Sequence, residues 1–240
     1  MSGSPFDLAP GDIHLWWARV PDLVAADAVA LLDADERARA ARFVVDPPRQ
    51  RFIAFRVLAR RLLAAYVGQD PATISFLYGP HGKPALDHPR APAFNAAHSA
   101  DLVVLAVTRA ERVGVDLELL RPMPRAAALA ARFFTPAEHA FVAALAGPQR
   151  DRSFFHCWTC KEAVLKAIGT GLNLPPRQVE VTPDPEQPSR VLAIPDGDPT
   201  CWSLLQAETV PGYLCTLAVE GTGWRVVVRR YRGGDSPRAR

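Results

Sequence analysis

The feature that most constrains this chain is a weak internal repeat: the order of sequence patterns over residues 41–107 recurs over residues 131–219. An Ala-Arg-Phe triplet at Ala41, Arg42 and Phe43 returns at Ala131, Arg132 and Phe133. Each triplet precedes a helical pattern, residues 49–66 and 154–168, that ends at glycine: Gly68 in the first copy, Gly169 and Gly171 in the second. Strand-like segments follow, 74–78 and 102–107 in the first copy and 179–181, 201–205 and 213–219 in the second. The offset grows from about 90 residues at the triplets to more than about 100 at the strands, as loop insertions would make it. Two related α/β halves follow from this, with their border near residues 108–112. A ligand site is expected where the halves meet.

With 240 residues, 49% of them apolar, the chain can bury a full core without disulfides or a structural metal. A net charge of +3 argues against nucleic-acid binding, although 28 lysines and arginines can still gather around a small phosphate-rich ligand. No basic stretch followed by an apolar run opens the sequence, and its longest apolar run, residues 102–107, is too short to span a membrane. A cytoplasmic location is expected. Cys157 and Cys160 have redox-pair spacing, but they lie in a helical pattern with no strand before them and no second pair elsewhere, so they read as core cysteines. The tail, residues 233–240, offers nothing to bury and is expected to be disordered.

Four stretches carry chemistry. In Val113-Gly114-Val115-Asp116-Leu117-Glu118-Leu119, apolar residues alternate with Gly, Asp and Glu, so a strand places both carboxylates on one face. Their attachment points lie roughly 6.6 Å apart, within reach of one hard cation. Gly114 on that face leaves room for a ligand, while the plain alternative is a solvated strand face. The second stretch is the helix 154–168, whose Glu162 and Lys166 stand four apart on one face, either as a surface ion pair or as a metal and phosphate site. The third is the turn Gly82-Lys83-Pro84 followed by Phe94-Asn95-Ala96-Ala97-His98-Ser99, whose histidine and serine can donate to a phosphate or serve a turn. The last is an arginine-rich region in which Arg49, Arg56 and Arg60 share a helical column; it suits phosphate, though solvated arginines are the commoner case.

In this order and spacing, Gly-Lys-Pro, Phe-Asn-x-x-His-Ser, Gly-Val-Asp-Leu-Glu, Arg-Phe-Phe-Thr-x-x-Glu and Trp-Thr-x-Lys-Glu-Ala-x-x-Lys-Ala-x-Gly-x-Gly-Leu resemble the Sfp-type 4'-phosphopantetheinyl transferases, over about residues 32–217. The resemblance implies an α+β fold, a pseudo-twofold arrangement of two similar α/β halves. Residues 1–110 would supply coenzyme A phosphate contacts, and 111–232 the magnesium site and the Lys-Glu helix. It implies transfer of the 4'-phosphopantetheine arm of coenzyme A to a serine of an apo acyl or peptidyl carrier protein, with release of 3',5'-ADP. Asp116, Glu118 and Glu162 match the magnesium ligands, Lys166 the pyrophosphate lysine, and Lys83, His98 and Arg51 the coenzyme A contacts. Glu162, directly or through a magnesium-bound water that it holds, is the candidate base. Leu120, Arg121 and Met123 resemble a carrier-facing surface, and a monomer is expected. Ala97 and Phe52 depart from the family pattern near the coenzyme A phosphates. The rival readings are a magnesium-dependent nucleotide-diphosphate hydrolase and a non-catalytic coenzyme A-binding module.

Overall fold

A computed structural model describes residues 4–24 and 28–232. The tail 233–240 lies outside the described residues. The first strand, β1 (Asp12–Arg19), is followed by the short helix α1 (Val20–Leu23), α2 (Ala34–Ala41) and the long α3 (Asp46–Val67). A hairpin of β2 (Phe76–Tyr78) and β3 (Pro84–Leu86) leads to β4 (Ala93–Ser99) and β5 (Leu102–Thr108). The order then repeats. The strand β6 (Val113–Leu119) precedes α4 (Ala126–Phe133), α5 (Pro136–Ala144) and the long α6 (Gly147–Ile168). A hairpin of β7 (Glu180–Val181) and β8 (Val191–Ala193) then leads to β9 (Trp202–Ala207) and β10 (Tyr213–Glu220), before β11 (Arg225–Arg230).

Pairing confirms two similar halves. In the first sheet β1 lies antiparallel to β5, and β5 antiparallel to β4; in the second, β6, β10 and β9 take the same places. Both long helices have 22 residues, carry proline in the first turn and end on a left-handed glycine, Gly68 (φ 73°) and Gly169 (φ 78°). The Ala-Arg-Phe triplets are not equivalent: the first closes α2 and the second closes α4. The partner of α2 is α5, since both open with a capping box, Asp33 with Glu36 and Thr135 with Glu138.

Each capping-box glutamate also holds a buried cation on its long helix. Glu36 accepts from Arg56 and from Arg60 Nε (2.7 Å), and Arg60 Nη1 donates to the Ile74 (2.9 Å) and Pro71 (3.3 Å) carbonyls. At the matching helix position, Lys161 Nζ pairs with Glu138 (2.7 Å) and donates to the Pro176 (3.1 Å) and Val179 carbonyls. Arg56 and Arg60, read from the sequence as solvated or phosphate-binding, are both buried against Glu36, and Arg60 also pairs with Asp33 (2.6 Å).

Apolar alternation sets the layers. Trp16, Val103 and Leu105 face α3, whereas Ile13, Leu15 and Val104 pack with Val115, Leu117 and Leu217 between the two sheets. The opposite face of β6 meets α6. There, a Cβ on Gly114 would stand 2.0 Å from the Ala163 carbonyl oxygen, so the space expected for a ligand at Gly114 is filled by the helix. One strand crosses the repeat: β11 pairs parallel with β1 and completes the first sheet.

Candidate active site

The site lies where the edges of β4 and β6 meet. No ladder joins these strands; side chains of β4 take its place. Asn95 Oδ1 accepts from the Val115 N–H (2.9 Å), and Ser99 Oγ accepts from the Leu119 N–H (3.1 Å) while donating to Glu118 Oε2 (3.0 Å). The sequence left Ser99 open between a phosphate donor and a turn residue; its hydroxyl holds the Glu118 carboxylate. Because α6 is seated on Gly114, its Glu162 and Lys166 lie over the acidic face of β6.

Lys166 Nζ donates to Asp116 Oδ1 (2.6 Å) and to the Val115 carbonyl (3.3 Å). Asp116 Oδ2 is buried without a hydrogen-bond partner. Burial pushes the Asp116 carboxyl up to about 6; Lys166 opposes this, and Glu162 and Glu118 add to it. Burial also raises Glu162, with Lys166 lowering it and Glu118 raising it. On His98, exposed at the cleft mouth, desolvation by the surrounding residues and then the charges of Arg51 and Lys166 hold the imidazole below its usual value. The sequence-predicted Asp116, Glu118, Glu162, Lys166, His98 and Arg51 therefore act on one another electrostatically.

Two clefts open onto this cluster. The larger, about 890 Å³, is lined by Arg39, Arg42, Arg51, Phe52 and His98. The smaller, about 330 Å³, is lined by Glu162, Lys166, Leu165 and Lys83. They share Gly82, Pro84 and Asn95 as walls. Arg39 and Arg42 were not singled out from the sequence, where they stood among many arginines; only the turn from α2 into α3 brings them to the cleft. Lys83 is placed differently from the other basic residues: its ammonium donates to the Val113 (3.1 Å) and Ala167 (2.9 Å) carbonyls.

Among the described residues no three Asp, Glu, His or Cys side chains are drawn together closely enough to hold a metal ion as they stand. The donor set still fits a hard divalent cation: three carboxylates, of which Glu162 and Glu118 raise the proton affinity of Asp116 and Glu118 raises that of Glu162, with one buried unpartnered oxygen on Asp116. Beyond Glu118, Arg121 makes an ion pair with it (3.2 Å) and stacks over Phe155 (4.9 Å). Met123 lines an apolar pocket of about 180 Å³ with Leu129, Phe133 and Trp158, and Leu120 is exposed. Cys157 and Cys160 are free and buried, as core cysteines are. Among the described residues no helix is long and apolar enough to cross a membrane.

Residues 112–218 match the family model described as 4'-phosphopantetheinyl transferase superfamily, and residues 16–110 match 4'-phosphopantetheinyl transferase, N-terminal. The chain is 36% identical over 223 residues to 4'-phosphopantetheinyl transferase HetI of Nostoc sp., covering 91% of this chain and 92% of that protein. It is 27% identical over 186 residues to 4'-phosphopantetheinyl transferase Sfp of Bacillus subtilis, covering 77% and 80% respectively.

Proposed function

Because this chain belongs to the 4'-phosphopantetheinyl transferase superfamily and is an enzyme of that kind, we propose how its residues move the phosphopantetheine arm of coenzyme A to a carrier-protein serine. The observation that carries the reading is Asp116, buried with one oxygen on Lys166 and the other unpartnered, beside two more carboxylates, of which Glu162 lines the smaller cleft together with Lys166.

On this reading the first half, residues 1–110, binds the phosphates of coenzyme A through Arg39, Arg42, Arg51 and His98. The second half, 111–232, carries the chemistry, with β11 returning to brace the first. Asp116, Glu118 and Glu162 would hold magnesium, which supplies compensation for the negative charge that grows on the leaving phosphate. Lys166 already bonds to Asp116 and lines the smaller cleft, so its ammonium can turn toward a pyrophosphate oxygen while staying near the acids. The serine oxygen forms a bond to the phosphorus that bears the pantetheine arm. The bond from that phosphorus to the bridging oxygen breaks, and 3',5'-ADP leaves with the electron pair. Glu162, whose proton affinity is raised by burial, accepts the serine proton. The carrier docks over Leu120, Arg121 and Met123, where an apolar pocket adjoins a cation suited to an acidic partner.

The test is intact-mass analysis of an apo carrier protein incubated with the enzyme, coenzyme A and magnesium, in parallel with EDTA and with Asp116→Ala. The phosphopantetheine mass is expected on the carrier only in the complete reaction. Cleavage of coenzyme A without carrier would move the reading to a hydrolase, and binding of coenzyme A with no modified carrier would move it to a binding module.

A further inference from the structure

The β2–β3 hairpin belongs to the first half, yet its turn sits on the second. Lys83, just before β3, crosses the seam and gives its ammonium to two carbonyls: Val113, where β6 begins, and Ala167, in the last turn of α6. Ala167 is among the carbonyls that a helix leaves without a partner inside itself, so Lys83 caps α6 from the other half of the molecule. The contact is close: a Cβ on Gly169 would stand 3.0 Å from Lys83 Cδ. A second bond ties the same turn down, His81 Nδ1 to Asn173 Nδ2 at 3.1 Å. Lys83 is absent from the lining of the arginine-rich cleft, although its neighbours Gly82 and Pro84 line it, and in the smaller cleft, which it lines with Lys166, its ammonium is held by the two carbonyls.

We infer that Lys83 is a positioning residue: it fixes the end of α6 against the start of β6, and so sets Glu162 and Lys166 over Asp116 and Glu118, and it does not bind a phosphate of coenzyme A. The two elements it joins are the two that carry the acidic cluster and its lysine. Burial lowers the Lys83 amine to about 8, with Arg112 adding to the shift, which agrees with an amine committed to carbonyls inside the fold. The catalytic consequence rests on the transferase reading above, whereas the clasp itself does not.

The test compares wild type with Lys83→Met, using hydrogen exchange of the Gly169 and Thr170 amides, calorimetric titration with coenzyme A at several ionic strengths, and carrier modification at saturating substrates. Expected are faster exchange at the end of α6, a kcat about 10- to 100-fold lower, and coenzyme A affinity within about 2-fold of wild type with an unchanged salt dependence. Weaker coenzyme A binding with a flattened salt dependence and unchanged exchange would overturn the clasp and restore a phosphate contact. Should Lys83→Met not fold, Lys83→Arg keeps the charge but not the fit to two carbonyls: raised exchange supports the clasp, and unchanged exchange sinks it. If wild type modifies no carrier, the transferase reading falls alone and exchange still decides the clasp.

Discussion

At Asp116 burial and the neighbouring Lys166 charge act in opposite directions, and burial wins. Desolvation favours its neutral form, Lys166 favours its charged form, and the result lies about 6, above the ordinary carboxylate value. In the metal-free protein the folded state therefore favours a proton on Asp116 that the unfolded chain has given up, so the stability contributed by this one group falls as pH rises from about 4 to about 6 and then levels. A divalent cation competes with that proton, so its effect runs the other way. The rise in melting temperature caused by magnesium should be small at pH 5, grow through pH 6 and reach a plateau by pH 7.5. Scanning fluorimetry across that range checks it, and a shift independent of pH would remove Asp116 from the metal site. The acids were legible because alternation alone puts two carboxylates on one strand face. The roles of Ser99 and Lys83 were not, since a hydroxyl or an ammonium in a sequence does not show which acceptor it will meet.

Between elements, the placement of α6 on β6 depends on an absent side chain. Gly114 lets the Ala163 carbonyl and the Ala167 amide approach to where a methyl group would stand. Both obstacles are helix backbone, so Gly114→Ala must push α6 outward. Overpacking of this kind costs about 1–3 kcal/mol, which corresponds to a melting temperature lower by roughly 2–12 °C for a chain of this size. Because Glu162 and Lys166 move with the helix, activity should fall further than stability. Calorimetry beside the carrier assay separates the two, and full activity in Gly114→Ala would show that the helix is not held by this contact. The long helices were readable from their apolar spacing, their prolines and their terminal glycines. The strand β1 was not, because DIHLWWAR is buried over most of its length, and Asp12 and His14 inside the fold break any simple alternation. Arg56 and Arg60 misled for a related reason: charge predicts exposure until a distant Glu36 supplies the partner.

Over the whole molecule, the repeat extends to individual bonds, since Arg60 and Lys161 each join a capping-box glutamate to two carbonyls of the following loop. The sequence suggested two halves but aligned them on the wrong triplets, because those residues fill unrelated turns while the true equivalences lie in bonding geometry. The exception to the symmetry is β11. It lies along β1, Arg225 makes two 2.9 Å bonds to Asp12, and Tyr231 is buried behind it. Ending the chain after residue 224 should leave β1 as an open apolar edge and send the protein into aggregates on size-exclusion chromatography. A soluble truncated monomer with wild-type melting would show that β11 is dispensable. The same strand sets a timetable for birth on the ribosome. The first sheet is missing its outer strand until residues 225–230 are made, and at roughly 5–20 residues per second the N-terminal half waits on the order of ten seconds with β1 exposed. Nascent chains stalled before residue 225 are therefore the form of this protein most in need of a chaperone.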